Sequence, residues 1–264
     1  MESKQTGKQP PRESKKKTNK PGKERLDVLL VGRGLAPSRE RAQALLLAGQ
    51  VRVNGQKMEK PGSQVAADAN LEIVGEAMRY ASRAGLKLEG ALEDFGVRAE
   101  GKICLDIGTS TGGFTDCLLE HGARRVYAVD VTIDQLDWKL RKDARVVPIE
   151  RNARYLRVED VGEPVELVTM DVSFISAAKV LPAVALRAAA GADFLILIKP
   201  QFELEKKEVG KGGLVRDPAL HEKAIAGVVK AAEEMGLEII GVRPSRLAGA
   251  DGNQEFFLHA RRQG

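Results

Sequence analysis

Two cysteines in 264 residues argue against a disulfide framework. Cys104 and Cys117 sit in apolar surroundings, and neither belongs to a C-x-x-C pair or a zinc-type spacing. No metal site is expected, and a reduced, cytoplasmic setting is. No apolar run reaches the roughly 20 residues of a membrane span. The best stretch, Val180 to Ile198, is interrupted by Pro182, Arg187 and Asp193. The first 25 residues are polar and lysine-rich, unlike a secretory leader. Net positive charge is also absent outside one segment. The formal net charge is +5, yet residues 1–23 hold eight Lys and Arg against Glu2 and Glu13. The basicity therefore belongs to that segment and not to the rest. Its Lys, Pro, Gly and Gln cannot bury a core, so residues 1–24 are expected to form a disordered tail. Such a tail serves either as a phosphate-seeking arm or as a solubilising leader.

What remains is ordinary globular material, 43% hydrophobic and 30% charged. Its length suits one large domain, or one medium and one small. The organising stretch runs from Lys102 to Asp130. The apolar run Ile103 to Ile107, interrupted by Asp106, precedes the loop Gly108-Thr109-Ser110-Thr111-Gly112-Gly113. Phe114, Cys117, Leu118 and His121 follow at helical spacing, and Val126 to Val129 ends on Asp130. Strand, glycine turn, helix, strand and acid are the first half of a doubly wound, Rossmann-like α/β sheet. Glycines belong at such a turn because the backbone bends sharply and a ligand must approach it closely.

The dinucleotide fingerprint G-x-G-x-x-G is missing, because Ser110 stands at its second glycine. Asp106 would repel a pyrophosphate and suits the ammonium of a methionyl group. Asp130 can accept from two ribose hydroxyls. The pattern leans to S-adenosylmethionine, with Asp106, Gly108, Ser110, Gly112, Gly113, Phe114, Asp130, Asn152 and Asp171 as candidate cofactor contacts. Asn152 would read an adenine edge after a third strand, Arg145 to Ile149.

Further along, a fourth strand, Val165 to Met170, ends at Asp171, and an alanine-rich helix after it is expected to stop at Gly191. A fifth strand, Asp193 to Ile198, is almost wholly apolar and ends at Lys199. Gln201 to Pro218 reads as a long loop. A helix from His221 to Met235 leads to two closing strands, Leu237 to Val242 and Glu255 to Ala260, as an antiparallel edge pair. Lys87 edges a helix whose stripe is Leu88, Ala91, Leu92 and Phe95. Trp138, in a helix from Asp134 to Leu140, is expected to pack.

Ahead of this lies a smaller α+β unit over residues 25–76. Leu26, Leu29 and Leu30 mark a first helix, and Ser38 caps a second from Arg39 to Ala48. Val51 to Val53 then enter the turn Asn54-Gly55, a strong hairpin signal. The run S-R-E-R-A-Q-A-L-L-L-A-G-Q-V-R-V-N-G-Q-K, with K-P-G soon after, resembles the alpha-L RNA-binding fold. That resemblance implies that Arg39, Arg41, Gln43, Arg52 and Lys57 face RNA, as cations on one face would when gripping phosphates. Residues 77–82 are the connector, and residues 83–264 the second domain.

Lys87, Asp171, Lys199 and Glu255 occur in the order of the Lys-Asp-Lys-Glu tetrad of FtsJ-like ribose 2′-O-methyltransferases. With S-R-A-G-L-K-L, D-I-G-T-S-T-G-G-F-T-D, M-D-V-S-F-I-S and I-K-P-Q-F-E, the chain from Arg25 onward resembles the TlyA family, also called haemolysin A. The resemblance implies a Rossmann-like class I methyltransferase sheet, S-adenosylmethionine as cofactor, ribosomal RNA and ribosomal subunits as partners, and methylation of a cytidine ribose. It also implies catalytic roles for the four residues. Lys199 would be the base, with Lys87 nearby, Asp171 orienting Lys199, and Glu255 positioning Lys87 or the ribose. A lysine takes a proton only if burial or a second cation lowers its pKa. Met78-Arg79-Tyr80 stands where some members carry a Trp linker, which leaves that linker's cofactor role open here. Three rival readings remain. A non-catalytic ribosome-assembly factor need not bind the cofactor. A membrane-active cytolysin would release dye from liposomes. An NAD-dependent dehydrogenase is disfavoured by Ser110 and by the tetrad.

Overall fold

A computed structural model describes residues 22–36, 38–47, 49–74, 79–249 and 251–264. Most of the expected tail, Ala48 at the end of the second helix, Ala77 and Met78 of the connector, and Ala250 lie outside the described residues. The chain divides into two compact units, Met1–Gly75 and Glu76–Gly264.

The first unit contains β1 (Lys23–Arg25), α1 (Leu26–Gly32), α2 (Arg39–Leu47), β2 (Val51–Val53), β3 (Gln56–Met58), β4 (Gln64–Ala66) and β5 (Leu71–Ile73). Lys23 and Glu24, expected in the tail, instead pair antiparallel with Ala66 and Val65. Their backbone groups find partners in that ladder, which outweighs their polar side chains. β2 lies between β3 and β5. Asn54 and Gly55 both take positive φ, 50° and 81°, as a two-residue hairpin turn of matching twist requires. Leu26, Leu29 and Leu30 of α1 pack with Ala42, Leu45 and Leu46 of α2 over Val51 and Leu71.

The second unit contains α3 (Ala84–Phe95), β6 (Ile103–Ile107), α4 (Gly113–Glu120), β7 (Arg125–Asp130), α5 (Trp138–Lys142), β8 (Val146–Glu150), β9 (Val165–Met170), α6 (Ala177–Ala185), β10 (Ala188–Ile198), α7 (Pro200–Glu203), α8 (Pro218–Glu234), β11 (Leu237–Pro244) and β12 (Phe256–Arg262). The sheet order is β11-β12-β10-β9-β6-β7-β8. β6 to β10 run parallel, and β12 is antiparallel to both β10 and β11. β11 is thus the edge, and β12 is inserted beside β10. Side chains alternate along β10: Phe194, Ile196 and Ile198 join the core under α6 and α8, while Leu195 and Leu197 join the core under α3, α4 and α5. That period of two gives three layers with helices on both faces.

Most expected strands and helices shift at an end, the fifth strand starting at Ala188 instead of Asp193 and the helix expected from His221 starting at Pro218, and three shifts have a visible cause. The alanine-rich helix ends at Ala185, not Gly191, because the backbone at Arg187 and Ala188 is recruited to the start of β9. Alanine favours helix, but the ladder wins where a strand neighbour is available. The helix expected from Asp134 starts at Trp138, where the Asp137 carboxylate caps the Lys139 N–H at 2.9 Å. The expected long loop opens with α7, whose first residue is Pro200, a favoured helix-starting position for proline. Trp138 is not core: it is 42% exposed, with the Lys142 ammonium 5.0 Å from its ring centre.

β6 carries a buried acid. Asp106 is fully enclosed and accepts from Thr115 Oγ1 at 2.7 Å and Thr169 Oγ1 at 3.0 Å. Burial pushes its carboxyl up to about 6, and the two hydroxyls offset this only in part. The folded state therefore favours the protonated form. The stability this confers is complete below the ordinary carboxyl value and is lost as pH rises through about 6. Asp106→Asn should stabilise the protein at neutral pH by on the order of 2–3 kcal/mol. Thermal unfolding of both proteins checks this. The advantage of the variant should grow from pH 4 to pH 6 and then level off; a constant or shrinking difference would contradict it.

Candidate active site

The strand order reverses between β6 and β9, and in such sheets ligands sit at the carboxyl ends of the strands at that point. An open cavity of about 550 Å³ lies there, lined by Gly108, Ser110, Asp130, Asn152, Asp171 and their neighbours. That volume lies within the range of cofactor pockets. Asp130 stands at the tip of β7. Its Oδ2 accepts from the Ser110 N–H at 2.8 Å and its Oδ1 from the Val131 N–H at 2.7 Å. These bonds aim the carboxylate along the cavity wall. Asn152 caps a short turn, accepting from the Arg154 N–H at 3.0 Å. Val131, Val172, Ile175 and Val180 supply apolar wall. An acid placed for ribose hydroxyls beside apolar wall fits an adenosine-bearing cofactor.

A smaller pocket of about 150 Å³ shares Gly108, Ser110, Asp171 and Ser173 with the large one, and adds Phe114 and Lys199. The Lys199 ammonium is therefore adjacent to the large cavity. It reaches Asp171 Oδ1 at 2.6 Å as an ion pair and donates a hydrogen bond to Ser173 Oγ at 2.8 Å. The Lys87 ammonium donates to Glu255 Oε2 at 2.5 Å, and both side chains are buried. The β10–β12 ladder relates the two pairs. Its last partners are Ile198 and Phe256, so Lys199 and Glu255 are next in register. Antiparallel neighbours lie about 5 Å apart. Four charges distant in sequence thus meet at one end of the sheet as two ion pairs.

Not every expected contact reaches the cavities. Asp106 lies beneath the turn, engaged by its threonines, and lines neither cavity. It closes the base of the turn from inside the core. Gly112 and Gly113 also line neither. A Cβ on Gly112 would fall 2.2 Å from Leu140 Cδ1, and one on Gly113 2.3 Å from Ser82 Oγ, so these glycines serve close packing. Lys87 and Glu255 line neither cavity; their pair stands behind Lys199.

Gly108 is needed for the turn itself. Its φ is 83°, and a Cβ there would meet the Asp171 carbonyl oxygen at 2.4 Å. Gly108→Ala should therefore displace the Asp171 loop and weaken cofactor binding at least about tenfold, the scale of one strained backbone position. Titration calorimetry with S-adenosylmethionine measures it, and unchanged affinity would refute the crowding argument.

Three residues at this rim escaped the sequence reading. Ser173 holds the Lys199 ammonium, and a serine in M-D-V-S carries no signal that separates it from a loop residue. Phe174 is 93% exposed at a positive φ of 64°, and its ring lies 5.3 Å from that of Phe202. Glu203 accepts from Ser176 Oγ at 2.5 Å and from the Ala177 N–H at 2.7 Å. It thereby ties the start of α6 to α7. Burial raises its carboxyl, and those donors only partly oppose the rise. Among the described residues no cluster of His, Cys, Asp and Glu could hold a metal, and no helix is long and apolar enough to cross a membrane.

In the first unit the expected RNA-facing residues are partly engaged. Arg39 and Gln43 each donate to the Asp27 carboxylate at 3.1 Å. Lys57 pairs with Glu59 at 2.7 Å. Arg52 is exposed and lies directly across the ladder from Lys57 on one side and Glu72 on the other. The spacing of α2 could not show Asp27, which lies on α1, whereas Glu59 stands only two residues after Lys57 in the sequence.

The FtsJ-like methyltransferase model matches residues 80–262, and the S4 domain model matches residues 24–71. The chain is 48% identical to the 16S/23S rRNA (cytidine-2'-O)-methyltransferase TlyA of Mycobacterium tuberculosis, over 90% of each protein. It is 44% identical to a protein named Hemolysin A from Brachyspira hyodysenteriae, over 89% of this chain and 98% of that one. A solved structure described as a haemolysin from Streptococcus thermophilus superposes with a TM-score of 0.72 at 42% identity, covering 92% of this chain and 89% of that one.

Proposed function

Because the chain belongs to the TlyA family of FtsJ-like methyltransferases, we propose that it is an S-adenosylmethionine-dependent ribosomal RNA methyltransferase acting on a cytidine 2′-hydroxyl. The observation that carries this reading is the Lys199–Asp171 pair opening into the cleft, with the Lys87–Glu255 pair next in register behind it. When bound, the cofactor supplies a methyl group carried on a sulfonium. Asp130 would hold its ribose, and Val131 and Val172 would flank its adenine. Gly108 and Ser110 line the same cavity and would lie beside it.

A ribose hydroxyl is a poor nucleophile, so its proton must leave as it attacks. Lys199 Nζ would take that proton as the neutral amine, having first released its own ammonium proton to solvent. Asp171 and Ser173 fix the direction of the amine, and a correctly aimed base is what alignment requires. Lys87 on α3 and Glu255, the residue before β12, hold the neighbouring position as a charge-neutral pair. The reading is tested by mapping ribose methylation in ribosomal RNA with and without the purified protein and cofactor. A new 2′-O-methyl cytidine is expected; an unchanged map overturns the reading.

Arg39, Arg41, Gln43, Arg52 and Lys57 are assigned to the RNA contact. Arg39→Glu with Arg41→Glu reverses two charges on α2. It should lower ribosomal RNA affinity by about 10²-fold or more, with a smaller salt dependence. A filter-binding titration at two salt concentrations reads both quantities, and equal affinity removes the assignment.

A further inference from the structure

The first unit contains an acid that no step above uses. Asp27 is the second residue of α1 and is fully buried, although it carries a carboxylate at the surface end of a short helix. It is surrounded by donors. Arg25 gives Nε to Oδ1 at 3.0 Å and Nη2 to Oδ2 at 2.9 Å. Arg39 Nη2 and Gln43 Nε2 each reach Oδ2 at 3.1 Å, and the Val28 N–H reaches Oδ1 at 3.0 Å. The Arg25 bonds, more than any other contact, hold this carboxyl well below the usual range despite burial. It is therefore ionised at any working pH.

A carboxyl held this low stabilises the fold at neutral pH, but stability is not the only result of such a hub. A buried carboxylate under half-exposed guanidiniums gains little over an apolar side chain of similar size. The visible result is geometric. A guanidinium carries five N–H donors in a rigid fork. Arg25 commits two to Asp27 and Arg39 one, and their side chains remain 46% and 53% exposed. Both forks are thus pinned at one edge while the rest of the side chain meets solvent. The same point draws in a third element. The Leu26 and Asp27 N–H groups donate to Ser63 and Pro61 carbonyls, and the Arg25 guanidinium passes over Gly62. Two arginines and an amide, from β1 and α2, are presented beside the Lys60-Pro61-Gly62 turn.

We infer that Asp27 is a positioning residue for RNA recognition: from inside the first unit it fixes Arg25 and Arg39 as a paired fork for phosphodiester oxygens of folded RNA. The inference rests on the RNA-contact reading of α2 given above. It adds Arg25 to the contact and assigns the buried acid a purpose. It also makes a prediction of opposite sign to simple electrostatics. Asp27→Asn removes a negative charge next to the proposed contact. If net charge alone governed binding, RNA would bind more tightly. If the acid aims the fork, RNA binds less tightly, because unpinned guanidiniums must be ordered on binding.

The test is a double-mutant cycle on the full chain, read as affinity for ribosomal RNA at fixed salt. Asp27→Asn is expected to weaken binding about tenfold, the scale of one charge-assisted hydrogen bond. In a background of Arg25→Ala and Arg39→Ala, the same change should have no further effect, because nothing remains for it to aim. Equal or tighter binding by Asp27→Asn overturns the inference. An equal loss in both backgrounds also overturns it, since it would reflect only a damaged fold. If Arg25→Ala with Arg39→Ala leaves RNA affinity unchanged while Asp27 is intact, the RNA-contact reading fails first.

Discussion

Lys199→Ala is expected to abolish methyl transfer to ribosomal RNA while S-adenosylmethionine still binds. The expectation rests on how few groups at this rim can take a proton. Lys199 is 9% exposed, lines the small pocket, and is aimed by Asp171 and Ser173. Asp171 is already paired with it, and the Lys87 ammonium is paired with Glu255. Loss of a positioned base costs about 10²- to 10⁴-fold in rate. Transfer of tritiated methyl groups measures the loss, and calorimetry measures cofactor binding in the same preparation. Lys199→Arg separates two roles. A guanidinium keeps the positive charge but does not act as a base near neutral pH. An inactive arginine variant is expected. An active one would mean that charge at this position suffices, and an active alanine variant would end the assignment altogether.

Strands were the most legible part of this chain, for a simple reason. A parallel strand covered on both faces is mostly apolar with sharp ends, and Val165 to Met170, buried except at Glu166, has the bounds that its residues suggest. Glycine turns were equally plain, because Gly108 takes a backbone angle that other residues resist. Alanine-rich segments were not legible. Ala188 to Ala190 favours helix locally, and only the presence of Val165 alongside converts its start to strand. Asp106 shows a second limit. Its place next to the turn marked it as a ligand contact, yet Thr115 and Thr169 on other elements claim it for the core. The same holds for Arg39 and Gln43, whose partner Asp27 lies on the preceding helix. Residue type and spacing locate charged groups along an element. They do not reveal which distant group completes each one.

The tetrad itself sits between these cases. Its four members could be named in order, but which charge pairs with which depends on the sheet. β12 runs back beside β10, so Glu255 lands next to Lys199 while its carboxylate reaches across to Lys87 on α3. That arrangement allows fold and chemistry to be separated. Lys87→Met should be strongly destabilising, because it leaves Glu255 buried without its cation. Breaking one half of a buried pair costs about 3–5 kcal/mol, and in a domain of this size that lowers Tm by roughly 10 °C. Adding Glu255→Leu removes the stranded charge and should restore most of the melting temperature, since apolar replacement of a whole buried pair is often neutral. Activity should not return with it. Lys87→Met and the double variant are then both expected to be inactive in the tritium assay, with only the double variant melting near the parent. If the double variant also methylates RNA, the pair is a packing device and the reaction needs only Lys199 and Asp171. If it stays both unstable and inactive, the burial argument fails, and the loss of activity says nothing about chemistry.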